Sequence, residues 1–337
     1  MYTLARSLLF RIDPEASHGM ALRALDALHR VGGVKRMVGK PVDDPVELMG
    51  LCFPNRVGLA AGLDKDADHL DALGELGFGF IEVGTVTPVA QPGNQKPRLF
   101  RLAGHEAIIN RFGFNNQGVA HLVAQVKQRH YSGVVGINIG KNLTTSVDDA
   151  LGDYLACLEA VHGVADYVTV NISSPNTPGL RTLQFGAQLD DLLGPIRSRS
   201  LALDEQTGRR VPLLVKIAPD MTDEEVALVA SSIERNALDG VIATNTTISR
   251  EAVAGDPQAD EAGGLSGKPV FEASNRIIRL LRARLPDLPI IGVGGIDSGD
   301  AARAKCDAGA NLVQLYSGLI YRGPTLVSEC AEALRKR

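Results

Sequence analysis

Short apolar, β-branched runs recur after residue 50, each followed by a longer helical or loop stretch. This recurrence restricts the folds open to the chain more than any other feature. Strands are expected near Val57–Ala61, Phe80–Gly84, Val134–Asn138, Tyr167–Asn171, Leu213–Ile217, Gly240–Thr244, Ile290–Val293 and Asn311–Tyr316. Their starts lie 23, 54, 33, 46, 27, 50 and 21 residues apart. Each interval has room for the crossover that parallel neighbours need. The pattern predicts an α/β chain, a closed parallel (β/α)8 TIM barrel with a small N-terminal helical extension. A doubly wound open sheet is the competitor. If it bound a dinucleotide it would usually carry G-x-G-x-x-G after its first strand, and neither that motif nor a Walker A sequence occurs.

Polar residues gather where these runs end. The first runs into Ala61-Gly62-Leu63-Asp64-Lys65, and the second ends in Glu82-Val83-Gly84-Thr85. The third ends at Asn138 and the fourth at Asn171, followed by Ser173-Ser174-Pro175-Asn176. The fifth carries Lys216, and the sixth ends in Thr244-Asn245-Thr246. The last two lead to Gly294-Gly295 and to Tyr316-Ser317-Gly318. In a barrel these ends share one face, where active sites sit. Helix N-caps also favour Asn, Ser, Thr and Asp, but capping does not call for lysine.

Composition excludes several classes. Charged residues are 22% and apolar residues 45% of 337, which is too apolar for disorder. The net charge of −4, with no long basic tract, argues against nucleic acid as a partner. The four cysteines are scattered without a C-x-x-C pair, so neither a structural metal nor a disulfide framework is expected. The first 40 residues stand apart, with seven Lys/Arg against three acids, a charge of +4. One helix is expected through Leu4, Leu8, Leu9 and Ile12. A second runs from Asp13 as N-cap and Pro14 to a stop at Gly32-Gly33, its apolar side including Ala21, Leu25 and Leu28. Such a pair suits either an anionic membrane surface or a lid packed on the main domain.

At the strand ends, the glycine turns at 294–295 and 316–318 are either phosphate-binding loops or simple βα turns. A lysine inside the mouth, as at Lys216, is costly to bury without an anion, and Lys65 follows the same logic. Asn110-Arg111-Phe112-Gly113-Phe114 is either a surface turn or, with Asn171, Asn176 and Asn245, part of an amide-rich wall for a planar ligand. Ser174 lacks a G-x-S-x-G setting, which argues against a hydrolase nucleophile.

The strings AAGLDKD, GTVTP, KPRLFR, INRFGFNN, GINIGKN, NISSPNTPGLR, VKIAPD, IATNTT, GGLSGKP, IIGVGGIDS and LVQLYSG occur in this order along nearly the whole chain. Together they resemble the dihydroorotate dehydrogenases. Serine at 174, where the cytosolic class has cysteine, and the helical extension resemble the membrane-associated, quinone-reducing class 2.

The resemblance implies oxidation of dihydroorotate to orotate in de novo pyrimidine synthesis, with FMN as cofactor, a membrane quinone as acceptor and Ser174 as base. It places Ala61, Gly62, Leu63, Asp64, Lys65 and Thr85 at the flavin, with Asn138, Asn171, Lys216 and Thr244. Gly267, Gly295, Tyr316 and Ser317 join them at the phosphate end. Substrate contacts fall to Lys65, Asn110, Arg111, Phe112, Gly113 and Phe114, and to Asn171, Asn176, Asn245 and Thr246. His18, Arg101 and Tyr316 match a quinone tunnel. Residues 1–40 would then be a membrane and quinone-access segment, and 41–337 the catalytic barrel. The implied location is peripheral, on the anionic cytoplasmic face of the cell membrane. Rival readings are a soluble dehydrogenase using fumarate or NAD, a flavin-free sugar-phosphate barrel, and an idle flavin-binding scaffold.

Overall fold

The computed structural model describes residues 2–184 and 186–335. Eight parallel strands close into a barrel: β1 (Val57–Leu59), β2 (Phe80–Val86), β3 (Val134–Ile139), β4 (Tyr167–Asn171), β5 (Leu213–Ile217), β6 (Gly240–Ala243), β7 (Ile290–Val293) and β8 (Leu312–Leu315). Each pairs with the next in sequence, and β8 pairs with β1. All eight expected strands are present, each within two residues of its expected ends.

Closure sends alternate side chains to two different cores. Outward residues such as Ile81, Val83, Ile137, Val168, Val215 and Val241 join the large cluster under the helices. Inward residues Phe80, Tyr167, Leu214, Ile242, Ile291 and Leu312 fill the lower barrel. A hairpin of Val46–Leu48 and Leu51–Phe53 plugs the bottom, and its Phe53 ring meets Phe80 edge-on at 5.3 Å. Higher up the interior turns polar, with Glu82, Asn138, Asn171, Lys216 and Gln314 all buried. Two glycines make room for the rings below: a Cβ on Gly58 would lie 2.3 Å from Phe80, and one on Gly136 would lie 2.0 Å from Tyr167.

Sequence reasoning missed a second sheet. Strands Leu99–Leu102, Ala107–Asn110 and Gly264–Gly267 form a three-stranded antiparallel layer. It brings Asn110, Ser266 and Gly267 to the cavity at the barrel mouth.

The N-terminal extension contains three helices, not two: α1 (Tyr2–Leu9), α2 (Pro14–Arg30) and α3 (Gly33–Val38). Helix α1 ends before Ile12, because Arg101 from the small sheet draws off the carbonyls of Leu9 at 3.2 Å and Ile12 at 3.0 Å. Asp13 caps α2 as expected, accepting the amides of Glu15 and Ala16. Gly32 supplies a left-handed turn, and Gly33 opens α3 rather than ending the helical segment. The inner face of α2 runs through Ser17, Leu22, Leu25 and Leu28, while Ala21 faces solvent. Its polar ties are Glu15 to Arg98 at 2.8 Å and Asp26 to His69 at 2.7 Å.

Gly136→Ala should test the ring packing, because the added methyl has nowhere to go without moving Tyr167. Overpacking of this kind costs about 1–3 kcal/mol. Urea unfolding followed by circular dichroism should show a clearly lower midpoint, and an unchanged midpoint contradicts the packing described.

Candidate active site

The strand ends converge on a single cavity. Its floor and walls take Ala61, Gly62, Lys65 and Thr85 from the first two strand ends, and Asn171, Ser174 and Asn176 from the fourth. Lys216, Thr244, Asn245 and Thr246 come from the fifth and sixth ends. Gly294, Gly295, Tyr316, Ser317 and Gly318 come from the last two, and Gly267 from the small sheet. The segment Asn110–Phe114 is no surface turn: Asn110, Phe112, Gly113 and Phe114 all line the cavity. Gln91 holds it there, donating to the carbonyls of Gly113 at 3.0 Å and Phe114 at 3.1 Å.

Four of the residues expected at the flavin or substrate lie outside the lining. Asn138 sits one layer deeper and reaches it through Thr85 and Asn171. Asp64 faces away, accepting the amides of Asp68 at 3.0 Å and His69 at 2.9 Å, which shapes the loop carrying Lys65. Burial pushes the Asp64 carboxyl up to about 6. Leu63 is buried in the core under the helices. Arg111 turns outward to Glu261 at 2.6 Å.

Two amines dominate the electrostatics. Lys216 is 5% exposed, and burial lowers its pKa against the opposing pull of Glu82. Lys65 holds its Nζ over the Phe112 ring, 4.2 Å from the centroid. Burial brings its pKa down to about 8, with Asp66 opposing that shift and Arg98 adding to it. Among the described residues neither amine forms an ion pair. Cations left without a partner at an enclosed cavity favour an anionic occupant. The Oε1 of Gln314 is a further buried polar atom without a partner at this cavity.

The Ser173–Ser174 turn is pinned from outside the cavity. Arg181 donates to the Ser173 carbonyl at 3.1 Å and the Thr246 carbonyl at 2.8 Å while pairing with Asp220 at 2.8 Å. The Ser174 Oγ accepts the Asn176 amide at 3.2 Å. No carboxylate or imidazole hydrogen-bonds to that Oγ among the described residues.

The three residues expected at a quinone tunnel come from three different elements. Tyr316 lines the cavity, its hydroxyl 3.4 Å from the Gly62 carbonyl, and burial raises its pKa to about 12. His18 on α2 is half-buried, and its pKa falls to about 4 through burial and then the nearby Lys65 and His69. Arg101 stacks on the Phe10 ring at 4.5 Å, beside the turn that follows α1.

Sequence reasoning counted Glu82 among the polar strand ends but gave it no role, and gave none to Gln314, Ser266 or Arg181. The available signals were Glu82 and Gln314, polar residues inside otherwise apolar strand runs.

A parallel barrel with anion-seeking amines, amides and glycine turns at its C-terminal mouth defines a (β/α)8 enzyme acting on a small polar molecule. The family model for dihydroorotate dehydrogenase matches residues 45–337. A dihydroorotate dehydrogenase (quinone) of Marinomonas sp. is 61% identical over 98% of this chain and 95% of its own length. A protein of the same name from Pseudomonas aeruginosa (strain LESB58) is 57% identical over 99% and 98%. The crystal structure of an Eimeria tenella enzyme with ferulenol superposes with a TM-score of 0.86 at 37% identity, covering 96% of this chain and 90% of that one. The chain belongs to the dihydroorotate dehydrogenase family. It is therefore an oxidoreductase of pyrimidine biosynthesis that oxidises dihydroorotate with a flavin.

The position of Lys65 predicts a pH dependence. Its pKa of about 8 means it is charged below that pH, and an anion bound beside it raises that pKa. Orotate affinity should therefore be full below pH 8 and fall up to about tenfold per unit above it. Orotate titrations of the flavoprotein between pH 6 and 10 check this, and a flat profile contradicts it.

Proposed function

We propose that the flavin is FMN, that Ser174 is the base, and that a membrane quinone is the final acceptor. The observation that carries this reading is the meeting of two amines without ion-pair partners, one of them the buried Lys216, with amides and a buried serine in one cavity. The donor set fits FMN. Gly267, Gly294 and Gly295 with the hydroxyl pair Ser266–Ser317, 2.8 Å apart, suit a single phosphate. Ala61, Gly62, Thr85, Thr244 and Lys216 would hold the ring system, with Asn138 and Asn171 beneath them. When bound, FMN supplies a two-electron acceptor for the hydride leaving C6 of dihydroorotate and a donor for the quinone.

The protein's own groups do the rest. Lys216 fixes a cation at the cavity floor, where it stabilises the negative charge that reduction brings. Lys65 meets the substrate carboxylate. Asn110, Asn171, Asn176, Asn245 and Thr246 match the amide edges of a planar dihydropyrimidine ring, whose carbonyls need donors and whose N–H groups need acceptors. Ser174 takes the C5 proton at Oγ. A serine is a weak base, so the hydroxyl must hand its own proton to a water bound beside it as it accepts the new one, and that water carries the proton to solvent. At 5% exposure the hydroxyl meets solvent only through such a water.

The N-terminal segment supports the quinone part. Leu4 is 74% exposed, Leu8 64% and Val31 71%, with Met20 and Met37 also exposed. Among the described residues, six of the 11 large exposed apolar ones lie in the first 40 positions, a segment that also carries a +4 charge. No helix among the described residues is long and apolar enough to cross a membrane. An apolar, basic helical surface that does not span suits peripheral attachment to an anionic leaflet, the cytoplasmic face of the cell membrane. Residues 1–40 then form the membrane and quinone-access segment, and 41–337 the catalytic barrel.

Ser174→Ala should retain flavin but lose nearly all reduction by dihydroorotate in anaerobic stopped flow. Near wild-type reduction rules Ser174 out as base. Leu4→Glu/Leu8→Glu should keep flavin reduction intact while markedly weakening binding to anionic vesicles in a flotation assay. Unchanged flotation contradicts the docking surface.

A further inference from the structure

Inside β2, one layer beneath the cavity, Glu82 is wholly buried. Three donors from three other strands converge on its carboxylate. The Asn138 Nδ2 reaches Oε1 at 2.7 Å, while the Tyr167 hydroxyl at 3.0 Å and the Gln314 Nε2 at 2.8 Å reach Oε2. Burial, with Glu82 beside it, raises the Tyr167 pKa well above its ordinary value, so that side chain stays a phenol and a donor.

An acceptor-only group at this place has consequences for every amide above it. An asparagine side chain has a donor end and an acceptor end, and in isolation either can face a given neighbour. Asn138 must give its NH2 to Glu82, which turns its Oδ1 upward to accept from Thr85 Oγ1 and from Asn171 Nδ2 at 3.1 Å. Asn171 gives its donor end downward to Asn138, and its Oδ1 accepts the Ser173 amide and hydroxyl, both at 3.2 Å, and the Asn245 Nδ2 at 3.5 Å; the Ser173 backbone N–H can only donate, so it holds Asn171 in the direction that Asn138 must match. Asn245 in turn keeps its Oδ1 for the Thr246 amide at 2.7 Å. Gln314 obeys the same rule on the other side, its Nε2 drawn to Glu82 and its Oε1 left unpartnered at the cavity.

We propose that Glu82 is a positioning residue that sets the donor–acceptor direction of Asn138 and Gln314, matching it to Asn171 and Asn245, whose direction the backbone amides of Ser173 and Thr246 hold from above, and so keeps the polarity with which the cavity meets its ligand. This rests on the reading that Asn171 and Asn245 contact the dihydropyrimidine ring. The cost of losing it follows from the same logic. A wrongly turned amide offers a donor to a donor, which leaves buried groups unpaired.

The test uses the holoenzyme. Glu82→Gln is isosteric but can present either end to Asn138, so the ladder loses its single direction. Orotate affinity of the oxidised flavoprotein, read by the flavin absorbance change, should weaken about tenfold. The double variant Glu82→Gln/Asn138→Asp moves the acceptor-only group up one rung. Residue 82 then donates to residue 138 and accepts from Tyr167 and Gln314, while residue 138 accepts from Thr85 and Asn171. Affinity should return to within about threefold of the parent, a difference below ~1 kcal/mol. Unchanged affinity in Glu82→Gln overturns the proposal. Loss in both variants also overturns it, because charge or shape at 82 is then what counts, and lower thermal stability with full affinity assigns Glu82 a structural role only. If neither variant folds, neutron diffraction of the parent reads the amide deuterons directly, and Asn138 deuterons pointing away from Glu82 refute it. A parent protein that holds flavin yet ignores orotate would instead sink the functional reading.

Discussion

Closing a parallel sheet into a barrel forces every second side chain into one narrow interior. The rest of this structure follows from how that interior is filled. Near the bottom Phe80, Tyr167 and Phe53 occupy it, with glycines opposite to admit the rings. Two residues further along four of the strands the inward positions carry Glu82, Asn138, Lys216 and Gln314. An apolar plug supports a polar layer that water does not reach. Groups held this way have fixed directions and few alternative partners, and such preorganisation is what transition-state stabilisation requires.

The mouth is then completed by pieces that are not barrel. The small antiparallel sheet lies against both the cavity and the N-terminal helices. Its Asn110 and Gly267 face the site, while its Arg101 secures the α1–α2 turn. Glu15 on α2 reaches Arg98, whose guanidinium also supports the segment leading to Asn110 by donating to the carbonyls of Pro92 and Asn94. His18 on the same helix senses the charge of Lys65. The extension that carries the exposed apolar surface is thus mechanically and electrostatically joined to the wall of the cavity.

What was legible in the sequence, and what was not, follows from how far apart partners lie. Parallel strands buried on both faces become continuous β-branched runs, so β1 to β8 could be read locally. Polar residues at their C-terminal ends marked the cavity, and Lys216 stood out there, while Ser174 drew its role only from the family resemblance. In the antiparallel sheet Leu99–Leu102 and Ala107–Asn110 form a local hairpin that sequence reasoning passed over, but its third strand gave no local sign: Gly264–Gly267 pairs with a strand more than 150 residues earlier, and two of its four residues are glycines. Glu82 was visible only as one charge in an apolar run, because its three donors come from other strands. Arg181 was hidden for the same reason, as its partners lie in the turns after three different strands. The end of α1 moved because Arg101, 92 residues away, takes the Leu9 carbonyl.

The central claim is that one cavity oxidises dihydroorotate through a bound flavin and returns the electrons to a quinone. The most direct measurement is made anaerobically in one cuvette, following the oxidised-flavin absorbance of the purified holoprotein. Addition of dihydroorotate should bleach it, and a water-soluble quinone added next should restore it without oxygen. A folded, yellow protein that does not bleach would contradict the substrate assignment. One that bleaches but recovers only with fumarate or NAD would contradict the quinone.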